Sequence, residues 1–550
     1  MNGKGSGPLV VAPYHSHMIR DSLASAIRTA LGSLGVDAPS EISLERPRNA
    51  EHGDWSSNVA LAVAKTAGRN PRELAGSLAE LLGSGAVPHV TAVEIAGPGF
   101  LNFRLADTWL HDVLTNAVVS GPDQFGRVDL GHGRTVNVEF VSANPTGPLH
   151  AGHGRGACFG DSLARILGWA GYVPNTEFYV NDRGTQIATY AASLVARRAG
   201  EQPPEGGYVG QYIIDWAAEM PADADPVEWG LVKAHDYQVA TLAALNIRFD
   251  RWSSERELVA SGAMEVALES LRAGGYIYEL DGATWLRTTD FGDDKDRVLI
   301  RSDGQPTYFM PDIAYHLDKF NRGSLLINVL GADHHGYVAR MKAAVQALGH
   351  EPDDLDIVIG QQVMLMRDGV EVKLSKRSGD IIELQDVIDE VGVDSTRFTY
   401  LLQSMDTRQV FDMGVVVKQS MDNPVFYVQY AHARVCAIQR QAVERGVVRG
   451  PLGDTDLSLL SHQRELDVLR VLYQLPDAVR MAATDRAPHK ITTWVRELAG
   501  VFHSFYHDCY VMGDGVSVEL TQARLWLVES ARVGLVVGLT LLGVSTPEKM

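Results

Sequence analysis

A chain of 550 residues is too long for a single hydrophobic core and implies two to four domains. Its 45% apolar and 21% charged residues are those of a globular protein, and a net charge of −19 excludes non-specific coating of nucleic acid, though not a local basic face. Cys158, Cys436 and Cys509 form no CxxC pair, which excludes a thiolate zinc site of that kind and a disulfide framework.

The first residues, MNGKGSGPLVVAPYHSHM, lack the apolar core and cleavage site of a secretory signal. Residues 1–122 read as a small α+β domain. LASAIRTALGSL (23–34) and WSSNVALAVAKTAG (55–68) have helical spacing, the second with Asp54 as its N-cap. TAVEIAGPGFLNFRL (91–105) reads as two strands broken at Gly97-Pro98-Gly99.

From 123 to 415 strand-like runs alternate with helices: TVNVEFV, a helix over about 152–169, TEFYV, LLINVLGA and LDIVIG. This alternation predicts a parallel, doubly wound α/β sheet, interrupted by a polar, acidic insertion at about 198–300. Residues 416–550 read as an all-α bundle in which Val425, Val428, Ala431, Val435 and Ile438 share one stripe. Arg434, Arg440, Arg445 and Arg449 accumulate there. The longest apolar stretch, VGLVVGLTLLGV (533–544), is too short for a membrane span and reads as a buried helix. The expected location is cytoplasmic, with no membrane partner.

SANPTGPLHAGHGR (142–155) follows the strand TVNVEFV, whose Val136, Val138 and Phe140 face one way and Asn137 and Glu139 the other. The turn delivers His150 and His153 to a helix start beyond a strand's carboxyl end, a place suited to phosphate. Gly152 and Gly154 would let a purine approach the backbone. A capped helix start with two incidental histidines fits the same residues. A metal pair fits poorly, because no acid or thiol accompanies them. Some 220 residues on, VEVKLSKRSGD (370–380) presents Lys373-Leu374-Ser375-Lys376-Arg377 beyond a hairpin turn at Arg367-Asp368-Gly369. Two ammonium groups on a loop can stabilise charge that develops on a departing pyrophosphate. Taken alone, the stretch is equally a solvated basic turn.

Together, and in this order, the two stretches resemble the "HIGH" and "KMSKS" signatures of class I aminoacyl-tRNA synthetases, with Leu374 and Arg377 as departures from the second. SANPTGPLHAGHGR, NDRGTQI (181–187), RPRNAEHGDWSSNVALAVAK, VEIAGPGFLNFRL and PVFYVQYAHARVCAIQRQA resemble the arginyl-tRNA synthetase family over essentially the whole chain. The resemblance implies a Rossmann-like catalytic domain, an N-terminal domain at the tRNA elbow and a helical anticodon-binding domain. It implies arginyl transfer to tRNA through an adenylate, with His150, His153, Lys373 and Lys376 as catalytic residues. ATP would be held by His150, Gly152, His153, Gly331, Asp333, His334, Lys373, Ser375 and Lys376, with Mg²⁺ accompanying it and no structural metal. A guanidinium pocket needs carboxylates and other acceptors. Tyr308 and Asp312, one helical turn apart, would supply it, while Glu139, Ser142 and Asn144 hold the other polar ends of arginine. Tyr427 and Tyr430 would stack on anticodon bases and Arg434 would meet phosphate. The partners are then tRNA, arginine and ATP, not DNA, and the enzyme is expected to be a monomer. The competing readings are a non-catalytic tRNA-binding paralogue, which should have lost one ATP motif, and another class I synthetase such as the cysteinyl enzyme, which should show a thiolate zinc site.

Overall fold

The computed structural model describes residues 19–47, 49–83, 85–367, 369–372, 382–418 and 420–550. The chain forms two compact units: one of residues up to Phe125 with Val435–Gln474 and Gly500–Gly534, the other of Gly126–Arg434, Leu475–Ala499 and Leu535–Met550.

In the first unit a three-stranded antiparallel sheet runs in the order Trp55–Ser57, Phe100–Leu105, Val90–Ala96. The expected break at Gly97-Pro98-Gly99 is the hairpin turn, with Gly97 and Gly99 at φ +52° and +148°, backbone that glycine adopts without strain. Helix Pro71–Leu82 is opened by Asn70, whose Oδ1 accepts from the N–H of Arg72 and Glu73, and by a proline at its first position. Asp54 is not a helix cap. Trp55–Ser57 pairs in register with Leu101–Phe103, which turns residues expected as helix into an edge strand. The Asp54 carboxylate accepts from Leu105 N at 2.8 Å instead, and the helix begins later, at Val59.

The second unit is built on a five-stranded sheet in the order Leu355–Gly360, Leu325–Gly331, Thr135–Glu139, Val173–Val180, Arg251–Ser254, with every neighbouring pair parallel. Parallel strands need helical crossovers and are therefore covered on both faces. The alternation in TVNVE accordingly does not separate core from solvent: Asn137 and Glu139 are as buried as Val136 and Val138. Asn137 Nδ2 donates to Glu177 Oε2, and the Arg322 guanidinium pairs with both oxygens of that carboxylate at 2.8 and 2.9 Å, so the buried carboxylate is satisfied, while Asn137 Oδ1 has no hydrogen-bond partner among the described residues.

The interval 198–300 is two excursions rather than one block. Helices Gln211–Glu219 and Pro226–Ala244 pack with Tyr190 and Leu194 around Ile213 and Trp216. The chain then returns to lay Arg251–Ser254 on the edge of the main sheet, and leaves again for a small antiparallel sheet of Ile277–Leu280, Ala283–Leu286 and Arg297–Ile300.

Helix Ala151–Trp169 lies over the sheet, and its termini match the expected 152–169. A β-carbon on Gly160 would stand 2.1 Å from the ring of Phe140, so helix and sheet meet at glycine contact. Further on, Val425, Val428, Ala431, Val435 and Ile438 are all buried, as their stripe predicted. Among the described residues no helix is long and apolar enough to cross a membrane. Gly160→Ala should cost about 1–3 kcal/mol by overpacking. Denaturant unfolding reads this, and an unchanged midpoint would refute the close approach.

Candidate active site

The chain leaves the central strand at Glu139 and enters the helix at Ala151. Between them Val141 and Ser142 have φ of +68° and +41°. Left-handed backbone is costly for a β-branched residue, on the order of 1–3 kcal/mol, and persists only where neighbours dictate it. Ser142 is the main support: its Oγ donates to Glu139 Oε1 at 2.9 Å and accepts from Tyr179 N at 3.1 Å. Asn144 is exposed, and its Nδ2 donates to Gln186 Oε1 at 2.7 Å, which gives the 181–187 stretch a part in the site. Gln238 Nε2 donates to the carbonyls of Asn144 and Gly147 at 3.1 and 2.9 Å, and Tyr212 OH to that of Thr146 at 3.0 Å.

His150 is the N-cap of the helix, with extended backbone. Its N–H donates to His153 Nδ1 at 3.1 Å, and the two rings stack with centroids 3.6 Å apart. An accepting Nδ1 assigns the His153 proton to Nε2. The glycines serve packing: a β-carbon on Gly152 would meet the His150 ring at 2.9 Å, and one on Gly154 would meet Leu384 and Tyr400 at 2.7 Å. Gly154 is buried against those side chains, so it is not the purine approach its position suggested.

Lys373, Leu374, Ser375, Lys376 and Arg377 lie outside the described residues. Their flanks do not. Val372 N donates to Leu365 O at 2.9 Å, closing the expected hairpin of Val363–Arg367 with Val370–Glu371. On the far side, Ala151 N donates to Ile382 O at 3.0 Å and Leu384 N to Leu149 O at 2.7 Å. The segment just past the lysine stretch is thus stitched on both sides of His150. Tyr237 OH donates to the neighbouring Glu383 at 2.7 Å.

Beyond the same sheet edge lie the acids. Asp312 is in the first turns of helix Phe309–Phe320, half-buried, and takes the Tyr337 hydroxyl on Oδ2. Burial foremost, then the charges of Glu139 and Glu255, push its carboxyl up to about 7, against the Tyr337 hydrogen bond and Lys319. Among the described residues Asp312 joins no ion pair. Glu139 is buried, with Oε1 on Ser142 and Oε2 2.7 Å from Lys319 Nζ. Glu255 is half-buried beside Arg183 at 4.0 Å, and burial raises its carboxyl too. Tyr308 does not join this group. It occupies the N-cap position, with helical backbone, and is 87% exposed. Tyr337, Tyr179, Glu255 and Lys319 escaped the sequence reading. Of these, Lys319 had a visible signal, because Asp312, His316 and Lys319 fall at i, i+4 and i+7 of one helix.

Gly331 ends its strand at the carboxyl edge and caps the 3₁₀ turn Ala332–Tyr337, where Asp333 and His334 are exposed and 3.6 Å apart. Among the described residues no three His, Cys, Asp or Glu side chains gather as a metal site. On helix Pro424–Glu444 the Arg434 guanidinium lies 4.5 Å over the Tyr430 ring, while Tyr427 lines a cavity of about 420 Å³ with Asp422, Thr493, Arg496 and Glu497. Arg449 pairs with Glu529 at 3.2 Å and stacks on Trp526 at 4.1 Å.

Residues 114–204 and 225–416 match the family model "tRNA synthetases class I (R), catalytic domain". A doubly wound parallel sheet with the histidine-bearing turn beyond its carboxyl edge, in a chain that matches this model, is that of a class I aminoacyl-tRNA synthetase. Residues 18–105 match "Arginyl tRNA synthetase N terminal domain" and 428–550 "DALR anticodon binding domain". The "Arginine--tRNA ligase" of Frankia alni is 46% identical over 97% of this chain and 99% of its own length, and that of Listeria monocytogenes strain HCC23 is 45% identical over 96% and 98%. The solved arginyl-tRNA synthetase of Thermus thermophilus shares the fold with a TM-score of 0.73 at 23% identity, over 97% of this chain and 100% of that one. The chain belongs to the arginyl-tRNA synthetase family.

Removing the Tyr337 hydroxyl takes a donor from the ionised Asp312. Tyr337→Phe should therefore move that carboxyl's titration above about 7, read as an upward shift in the pH midpoint of arginine binding. An unmoved midpoint would show that the hydroxyl does not bear on it.

Proposed function

We propose that this chain works as an arginine–tRNA ligase with the following assignment of residues. The carboxylate of arginine attacks the α-phosphorus of ATP, the bond to the bridging oxygen breaks, and pyrophosphate leaves. The terminal ribose 2′-hydroxyl of tRNA then takes the arginyl group from the adenylate and AMP departs. His150, Gly152 and His153, with Gly331, Asp333 and His334, hold the nucleotide. Lys373, Ser375 and Lys376 meet the charge gathering on the pyrophosphate, and Mg²⁺ enters with ATP as part of that substrate. Asp312 receives the guanidinium, while Glu139, Ser142 and Asn144 order the polar end of arginine. Tyr308, exposed one helical turn before Asp312, is assigned to the same guanidinium. Tyr427, Tyr430 and Arg434 meet the tRNA from a helical domain spanning 416–550, residues 1–122 meet its elbow, and the chain acts as a cytoplasmic monomer.

What supports the reading above all is the pair of hydrogen bonds that stitch Ile382 and Leu384 to Ala151 and Leu149, since they bring the chain just past the lysine stretch beside the histidines. Pyrophosphate exchange with each amino acid in turn, with and without tRNA, tests it. Exchange should need arginine; exchange driven by lysine or cysteine and not arginine would overturn it.

Asp312→Asn should raise the arginine KM roughly 30-fold or more, the ~2 kcal/mol or more of a guanidinium left without its acid, and the ATP KM far less. Equal effects on both would remove Asp312 from the pocket. Arginine needs the ionised carboxyl, so its KM should rise about tenfold per pH unit below about 7 in the wild type, an acid limb that the variant lacks. Stability runs the other way. The unfolded Asp312 titrates near ~3.9, so between there and about 7 the folded chain holds a proton the unfolded chain has released. The contribution is whole below ~3.9 and is lost as pH rises through about 7. At pH 8 Asp312→Asn should therefore melt higher than the wild type, and a lower melting temperature would contradict this account.

A further inference from the structure

Lys319 is a lysine with 0% exposure, and a buried ammonium needs all three donors engaged. One reaches Glu139 Oε2 at 2.7 Å, one reaches Asn328 Oδ1 at 2.6 Å, and the Tyr315 ring centroid stands 4.7 Å from Nζ. From Asn328 the bonding continues: its Nδ2 donates to His316 Nε2 at 2.8 Å, and His316 Nδ1 lies 2.7 Å from the carbonyl of Asp312. Burial, with Lys319 adding to it, brings the imidazole down to about 3, so it is neutral, with its proton on Nδ1. From Glu139 the bonding runs on to Ser142 and the Tyr179 backbone. Lys319 is the node of a continuous polar string that begins at Asp312 and ends under the strained turn.

The charges around it are unequal. Glu139 has Lys319, and Glu255 has Arg183 at 4.0 Å. Asp312, between them, has a hydroxyl and no cation among the described residues. A site with three ionised acids would attract any polycation and hold its own carboxylates apart by repulsion. With Glu139 neutralised from inside by Lys319 and Glu255 beside Arg183, a single vacancy for positive charge remains, at Asp312.

We propose that Lys319 is a positioning and specificity residue for arginine: its ammonium fixes the Glu139 carboxylate and leaves Asp312 as the acid that a guanidinium must satisfy. This rests on the reading of Asp312 and Glu139 as parts of the arginine pocket. Lys319 touches no substrate atom; it acts through Glu139. Its loss would free a buried carboxylate to protonate or to compete for the guanidinium, and arginine affinity would fall while the nucleotide site stays as it is.

Steady-state pyrophosphate exchange on the full chain separates the possibilities, comparing Lys319→Met, Lys319→Gln and Asp312→Asn with the wild type. Lys319→Met should raise the arginine KM about tenfold, as the loss of a charged hydrogen bond does, with the ATP KM within about twofold and kcat falling less than the arginine KM rises. Lys319→Gln, which keeps amide donors and serves also if the methionine variant does not fold, should recover part of that loss. Parallel changes in both KM values, or a lowered melting temperature with both KM values intact, would reduce Lys319 to a structural role. Should Asp312→Asn leave the arginine KM unchanged, the pocket reading itself fails. If Asp312→Asn raises it and neither Lys319 variant does, the pocket stands and this proposal falls.

Discussion

A parallel sheet covered on both faces leaves its polar chemistry one outlet, the carboxyl edge, where strands end and helices begin. Everything assigned to the site obeys that constraint. Glu139 is the last residue of the central strand, Gly331 the last of its neighbour, and the helix carrying His150 and His153 starts beyond the same edge. Because Asn137 and Glu139 are buried within the sheet, their charges and dipoles cannot be left to water. Glu177, Arg322, Lys319 and Asn328 exist in this arrangement to satisfy them. The polar layer beneath the pocket is thus a consequence of the fold, and the pocket is built on it.

The same layer explains why one acid behaves unlike its neighbours. A carboxyl pushed up to about 7 is held in a medium that disfavours its charge, beside other acids that disfavour it further. Such a group is poorly placed for stability and well placed for a ligand that brings its own fixed positive charge. A guanidinium never loses its proton, so one brought against this carboxyl would favour its ionised form.

The architecture was largely legible, since its signals are local. The run TVNVE, the turn at Asn144–Pro148 and the helix that follows were placed nearly to the residue, and the apolar stripe from Val425 to Ile438 faces inward as expected. What was illegible depends on partners distant in sequence. Trp55–Ser57 is a strand because Leu101–Phe103 offers it an edge, and Arg251–Ser254 belongs to the main sheet because Val180 and its neighbours do. In the site, Asp312 and Glu139 were found through resemblance. Tyr308 keeps the helical spacing to Asp312 but stands exposed, apart from the gathered acids. Lys319 could have been read from its spacing to Asp312 and His316, but its partner Glu139, 180 positions away, could not.

The strained turn brings these threads together. Val141 and Ser142 sit in backbone that neither residue prefers, between the glutamate of the amino-acid pocket and the histidines of the nucleotide site. Ser142 holds them locally through Glu139 and from outside through Tyr179, while Gln186, Tyr212 and Gln238 hold the residues that follow, and the last two come from the excursion that precedes the edge strand. A turn held from outside transmits displacement, because its conformation has no minimum of its own to fall back on. Glu139 and the helix cap at His150 are separated by this one segment. Under the proposed assignment, its distortion sets how far Glu139 stands from the helix cap at His150, and with it the spacing of the two substrates those residues would hold.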